Sequence, residues 1–495
     1  MPQGVQVSTT AASAQRFDVA AFSLLLVTLV WAPWPLGSNR PWSLAILGML
    51  VWLGVGLAVA ARLAGGGAPR SLPAGWVVPM AALAGFASLV ALQLLPGLGP
   101  AGGPLSIDPF STRRYLFATL LYAGAWALVM LTVTSRERAA RLLGAVLLAG
   151  VLQATAAVAL YSAGASYTLW FAEFNQGDRA MGTFVNPDHL AGYMELALSA
   201  GFGWLIAQFV GGAGLKSGGW RANVVLVLTF LLSPKMLLRL LLVILVITLV
   251  MTHSRMGNGA FFLALLMVGA LVAARSQRLR RPALWLVASM AVIDIFIVGQ
   301  WVGLDRVVQR MKDTSVSTAS QAAVAFGRVP ATAPQYREES IQQRLEVPLL
   351  SLRLVALRPW LGHGGGTYYT AIPPFKRDGL PGYWDHAHND YVQVASDTGL
   401  VGLALWLTVG LATALRALRM LPDGQGSVHR GAGVAALMAL ACMGLHSMVD
   451  FNLHIPANAL TFAVLLATVW AIPDAARAAD PASDAGRGSN AGGGA

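Results

Sequence analysis

His386 and His388 stand two residues apart in the segment Trp384-Asp385-His386-Ala387-His388-Asn389-Asp390-Tyr391, which runs straight into an apolar stretch at Val392. Two imidazoles, two carboxylates, an amide and two aromatic rings thus meet the start of a membrane helix. Ionisable groups are costly at a bilayer edge unless they handle a polar substrate, so the segment is expected to act on a lipid-linked molecule. The His-x-His pair invites a metal reading, but no third and fourth ligand follow at convincing spacing. A metal-independent reaction without a cofactor is therefore expected.

Three other polar clusters share this character. Asp178-Arg179 leads through Gly182-Thr183-Phe184-Val185-Asn186-Pro187-Asp188-His189 into an apolar stretch. Thr252-His253-Ser254-Arg255-Met256-Gly257 forms a tight turn between two such stretches, and His446 precedes Asp450-Phe451-Asn452-Leu453-His454 before the last one. Arg255 has no acidic neighbour in its turn and reads as functional, whereas Arg179 adjoins Asp178 and has pairing as its competing role. His189 and His454 are either binding residues or helix-end residues satisfying local backbone, and His446 reads as structural.

The elements that must position these clusters are membrane helices. Of 495 residues, 56% are hydrophobic and 11% charged, against roughly 25% charged in soluble domains. The apolar blocks are long enough to cross a hydrocarbon core, which takes about 20 helical residues. The chain is expected to be an all-α polytopic membrane protein of about twelve transmembrane helices: 19–35, 43–61, 75–95, 115–134, 142–163, 190–210, 238–253, 257–274, 283–303, 390–414, 431–450 and 456–473. The first block lacks a small-residue cleavage site and reads as a retained span. A net charge of +12 could suggest nucleic acid, but the basic residues lie in short clusters between apolar blocks, so no nucleic-acid partner is expected. The single cysteine, Cys442, lies inside a block, which leaves no disulfide framework.

Charge bias orients the chain. With the N-terminus inside, the short outer loops carry only Arg40, Arg113, Arg114, Arg179 and Arg255, while the inner segments hold the larger share, including Arg136, Arg138, Arg141, Arg275, Arg278, Arg280 and Arg281. Such bias places both termini in the cytoplasm, and all four polar clusters then fall on the outer face. The apolar run 222–232 is too short to span and is expected to lie at the inner interface. The expected division is 1–163 (five helices), 164–303 (four helices with the arginine clusters), 304–389 (a large outer, periplasmic loop containing short helices), 390–473 (three helices) and a disordered tail, 474–495. Within the loop, 315–334 is expected to be mobile, and 339–357 is an amphipathic helix with Leu345, Leu349, Leu352 and Val355 facing the membrane and Arg344, Arg353 and Arg358 among them. Gly362-His363-Gly364-Gly365-Gly366 permits tight turns and lacks the context of a nucleotide-binding loop.

On these motifs the chain resembles the O-antigen ligase family of the Wzy_C superfamily. The family's loop signature is His, then Asn, Ser or Gln, nine residues, Gly, two residues, then Gly, Thr or Tyr; here His388-Asn389, Gly399 and Gly402 fulfil it. The runs Gly182–Tyr193, Thr252–Gly257, Pro359–Gly366 and Val449–Pro456 are also similar, over roughly 170–470. Met256 departs from the small residue common after the arginine. The resemblance implies a GT-C-like helical fold in the bacterial inner membrane and transfer of a glycan from undecaprenyl diphosphate to a hydroxyl acceptor at the periplasmic face. Arg179 and Arg255, assisted by Arg344, Arg353 or Arg358, are then expected to hold the leaving diphosphate, since guanidinium binds phosphate oxygens bidentately. His388 is expected to be the base, with Asp390 or Asp385 orienting it. Asn186, His189, His386, Asn389, Asp390, Tyr391 and His454 are expected to bind substrate, with Tyr383, Trp384 and Tyr391 stacking on sugars. The acceptor is lipid A-core, a growing polysaccharide (a Wzy-type polymerase) or a protein (an O-oligosaccharyltransferase). A small-solute or bicarbonate transporter is the competing class. It would require internal repeats and mid-bilayer charges, but no repeat is evident and Asp294 is the main charge read within a span.

Overall fold

The computed structural model describes residues 3–65, 72–164, 166–168, 173–175, 179–208, 233–297, 341–375 and 384–472. The expectations for 222–232, 315–334, Asp178, Tyr383 and the tail lie outside those residues, as do the side chains of Asp294, Arg344 and Leu345. The described chain is overwhelmingly helical: α1 (Gln3–Trp31), α2 (Pro41–Gly65), α3 (Val77–Leu92), α4 (Pro109–Thr132), α5 (Arg136–Ala163), α6 (Pro187–Gln208), α7 (Pro234–Met251), α8 (Arg255–Arg275) and α9 (Gln277–Ile297). After the shorter helices α10 (Ile341–Leu357) and α11 (Tyr368–Ala371) come α12 (Asp390–Arg419), α13 (Ser427–His446) and α14 (Pro456–Ala471). One antiparallel hairpin, β1 (Ser166–Thr168) with β2 (Glu173–Asn175), departs from the all-α expectation.

Each of the twelve apolar stretches overlaps one of these helices, with 209–210 and 298–303 outside the described residues. Among the described residues, eight helices are long and apolar enough to cross a membrane, and α3 and α14 are shorter apolar helices. The chain is a multi-helix membrane protein. Local chemistry sets the helix starts: Asp108, Ser135, Ser233, Ser254 and Asn389 each accept a backbone N–H from the first turn that follows, and Pro109 and Pro234 sit where no N–H is needed. Gly164 closes α5 in the left-handed conformation, which costs glycine least.

Helices α6 and α13 form the centre: 89% and 72% of their apolar windows are buried, against 39% for α8. Small residues let them touch. A Cβ on Gly203 would lie 2.4 Å from Gly431 O, and one on Gly431 would lie 2.5 Å from Gly203 O. Close backbone packing of this kind holds helices together where lipid tails remove the hydrophobic drive between them. The outer helices turn Met49, Leu53, Leu63, Leu266, Trp285 and Leu411 outward, as lipid contact requires.

The loop helix α10 has two apolar faces. Leu349 and Leu352 are exposed, matching the expected membrane-facing side, while Val347 and Leu354 form a small core with Tyr368, Ala371, Ile372, Trp384 and Ala387. That second face was not read from the spacing. It fixes the segment that carries His386 and His388.

Helix α12 is also not continuous. At Gly399 the backbone swings to φ 70°, ψ −178°, and the Pro359–Gly366 segment fills the break. Leu400 N donates to Pro359 O (2.7 Å) and Val401 N to Trp360 O, while Ser396 O and Asp397 O accept from His363 N and Gly364 N (3.0 Å each). The glycine-rich run thus satisfies backbone groups that the break strips of helical partners. Buried Gln93 of the α3 end locks it, donating to Leu361 O and Asp397 O and accepting from Gly365 N. This loop is a structural plug, and His363 belongs to it: burial lowers its pKa, and its Nδ1 faces Ser396 O.

Candidate functional site

The four polar clusters converge at one end of the bundle. Asn186 caps α6 through Asp188 N, and the side chain of Arg179 reaches both Asp188 Oδ1 (2.6 Å) and Thr252 O (2.8 Å). Ala180 N also donates to Met251 O. The stretch before α6 is thereby stitched to the α7–α8 turn, where His253 has φ 52° and Ser254 caps α8. Asn458 of α14 donates to His189 O, and Asn389 at the start of α12 donates to Met448 O beyond α13. Gly192 makes the crossing possible, since a Cβ there would lie 2.2 Å from Asn452 Oδ1.

Phe451 is the hub. The rings of His386 (4.0 Å, stacked), His189 (4.7 Å, edge-on) and His388 (5.1 Å, edge-on) all pack on it. His388 also lies edge-on to buried Trp384 at 5.7 Å and has φ 49°. Gln393 fixes the His386 tautomer: its Oε1 accepts from Ala387 N, so its Nε2 donates to His386 Nδ1 at 3.0 Å. The ring proton then sits on Nε2. Burial, followed by the neighbouring His454 and His388, holds the His386 pKa well below the histidine range, so this ring is neutral.

Asp390 is fully buried and accepts from Ser447 Oγ (2.6 Å), Leu453 N (3.2 Å) and His454 Nδ1 (2.6 Å). Burial disfavours the charged His454 ring, but the Asp390 hydrogen bond and charge, with Asp397 and Asp385 behind, outweigh it and raise its pKa. A second chain runs deeper. His446 Nδ1 lies 2.9 Å from Glu195 Oε1 and its Nε2 3.7 Å from Asp450 Oδ2, while Asp450 Oδ1 lies 4.0 Å from His189 Nε2. Below the cluster, α3, α4, α12, α13 and α14 enclose a mostly apolar cavity of about 650 Å³. Phe86, Tyr115, Tyr122, Trp126, Trp406 and Phe462 furnish its walls, and Asp390, Tyr391 and His454 its polar end.

Several sequence expectations change. Asp390 orients His454, not His388, because the carboxylate's bonds are taken by the α13–α14 turn. Arg179 pairs with Asp188 nine residues on, which leaves it a positioning role. Arg358 donates to Leu105 O (2.8 Å) and is an anchor of the plug. Arg255 and Arg353 are exposed, and neither side chain forms an ion pair or hydrogen bond among the described residues. Asn389 Oδ1 caps α12 through Val392 N. Tyr391 OH donates to Gly444 O, its ring lies edge-on to Trp406 and it lines the cavity; Trp384 is buried against His388. His446 was read as structural and lies at the centre of a buried ionisable chain. Glu195, inside a span, was missed: one carboxylate in an apolar helix gives no local signal until its partner from α13 is in place.

Residues 240–407 match the family model Wzy_C, described as O-antigen ligase. That interval holds Arg255, the plug, the histidine segment and the Gly399 break, whereas Arg179 and the His446–His454 turn lie outside it. No curated protein matches the chain. Arg255, the plugged α12 break and the His388-Asn389 signature thus sit in one stretch, residues 240–407, that is similar to the Wzy_C, O-antigen ligase, family.

Proposed function

We propose that this protein transfers a glycan from undecaprenyl diphosphate to a hydroxyl acceptor at the periplasmic face of the bacterial inner membrane, without a metal, and with both termini cytoplasmic. The observation that carries this reading is the meeting of a cationic turn and a histidine cluster at one end of an apolar bundle. Arg255, exposed and with its guanidinium uncommitted among the described residues, binds the diphosphate whose charge grows as the anomeric bond breaks. Arg179 acts through it by fixing the turn. Arg353, also exposed, is the loop residue we take to assist. An imidazole of the group around Phe451, of which His388 is the signature member, activates the acceptor hydroxyl. Lipid A-core is the acceptor we favour over a growing polysaccharide or a protein.

The test is transfer by the purified protein in liposomes. It uses an undecaprenyl-diphosphate glycan and, in parallel, lipid A-core, polysaccharide and pilin acceptors. Product on lipid A-core alone is expected, and transfer to none of them refutes the reading. Arg255→Lys should lose about 10²-fold or more in kcat, since charge without the fork does not restore bidentate contact; wild-type turnover would remove that role. Activity should survive chelator, and a loss restored by a divalent ion would overturn the metal-free step.

A further inference from the structure

Resting on that glycan-transfer reading, we propose that Glu195 of α6 is a positioning residue for the transfer step: through His446 and Asp450 it sets the Phe451 platform against which His388 packs. Glu195 Oε1 lies 2.9 Å from His446 Nδ1 at the end of α13, and His446 Nε2 lies 3.7 Å from Asp450 Oδ2. Asp450 Oδ1 accepts from Phe451 N (2.8 Å) and lies 4.0 Å from His189 Nε2. The Phe451 ring then carries the rings of His386, His189 and His388 at 4.0, 4.7 and 5.1 Å. The same carboxylate borders the arginine turn, since a Cβ on Gly257, just beyond Arg255, would lie 3.3 Å from Glu195 Oε1. A single side chain thus stands between the element that carries Arg255 and the one that carries the histidine platform.

Stability does not account for Glu195. Its side chain and that of His446 are fully buried, and Glu195 Oε2 has no hydrogen-bond partner among the described residues. A buried ion pair is a weak source of stability, and apolar side chains of like volume often do as well or better. An ionisable group kept inside a membrane helix therefore points to a task, and the geometry supplies one. Transfer needs the base, the acceptor oxygen and the anomeric carbon held in line, and a misplacement of about 1 Å can cost about 10²-fold in rate. Arg179 ties the Arg255 turn to Asp188 in the first turn of α6. Glu195, about two turns further along that helix, ties the histidine side to it. Both halves of the site are thereby referred to one helix. His388 keeps its role at the acceptor hydroxyl, and Glu195 acts on it only through His446, Asp450 and Phe451.

The test uses the full-length protein and the liposome assay above, with whichever acceptor that assay identifies. Glu195→Leu should lower kcat by about 10²-fold while the donor KM stays within about threefold of wild type. Glu195→Gln keeps an oxygen to face His446 Nδ1 and should retain at least about a tenth of wild-type kcat. The decisive variant joins Glu195→Leu with His446→Leu. Removing both ends of the pair should restore the melting temperature lost in His446→Leu alone, yet kcat should stay down by about 10²-fold. Activity that recovers together with melting overturns the proposal, as does a kcat within about threefold of wild type in either protein carrying Glu195→Leu. A loss in Glu195→Gln as deep as in Glu195→Leu also overturns it. If neither protein carrying Glu195→Leu folds, Glu195→Asp, which withdraws the carboxylate by a methylene, must lower kcat at least about tenfold; undiminished kcat there overturns the proposal too. A wild-type protein that transfers glycan to none of the acceptors refutes the parent reading instead.

Discussion

Replacing Gly399 by Ala should loosen the end of the bundle that carries the polar clusters. The residue sits at φ 70°, ψ −178°, a region almost confined to glycine, where another residue costs about 1–3 kcal/mol. The added Cβ would lie 2.1 Å from Trp360 O and 2.2 Å from its carbonyl carbon. Both are backbone atoms, so no side chain can swing away. Relief requires withdrawing the plug, which breaks Leu400 N to Pro359 O and Val401 N to Trp360 O at about 1 kcal/mol each. Together these give a destabilisation of about 3–5 kcal/mol. On the usual size scaling that is roughly 6–10 °C in apparent Tm, read by intrinsic fluorescence of the detergent-purified protein at one scan rate. Gly410→Ala, further along the same helix with its nearest neighbour, Leu440, at 3.6 Å, is the control and should stay within about 1 °C, since helical Gly→Ala is neutral to favourable. If Gly399→Ala also melts within about 2 °C of wild type, the plug does not hold the α12 break and the structural account of the signature glycine is wrong.

Asn389→Ala should cost about 1 kcal/mol through the lost cap, whereas Asn389→Ser should retain most of it; equal melting of the two would show that the cap is not what stabilises the start of α12. His446→Ala strips Glu195 of its buried partner and should cost about 3–5 kcal/mol, while the double change with Glu195→Leu should recover part of that loss; additive losses in the double variant would refute the pairing. The His454–Asp390 contact makes a pH prediction. The folded-state pKa of His454 is raised above its ordinary 6.5, so the stabilisation is fully present below pH 6.5 and disappears as pH rises through the raised value. The gap in apparent Tm between wild type and His454→Gln should narrow across that window, and a constant gap would count against an ionised pair.

Much of the architecture was legible because a bilayer constrains a chain so tightly. About twenty apolar residues per crossing and a charge bias between short loops leave little freedom, and within the described residues a helix underlies each of the twelve expected spans at least in part. The loop signature was legible too, but as a pattern without causes. Its Asn is a helix cap and its Gly a helix break, and neither role follows from spacing, because the break exists only once Pro359–Gly366 occupies it. The amphipathic reading of α10 found Leu349 and Leu352 and missed Val347 and Leu354, since the helix carries apolar residues on both its exposed and its buried face and a single-face pattern describes only one.

By itself, then, the sequence determined that this is a helical membrane protein, which of its residues are chemically equipped, and that they share one face. Each of those properties is local or statistical: hydropathy, charge bias and residue type act without knowledge of neighbours. Tertiary structure alone decided the pairings. Arg179 reaches Asp188 and Thr252, Asp390 holds His454, and His446, read as a bland helix-end residue, bridges Glu195 and Asp450. Those partners lie from four to 251 residues apart in the chain. Hydrogen-bond geometry over a few ångströms is set by how α6, α12, α13 and the α13–α14 turn cross, a property no stretch of sequence carries alone.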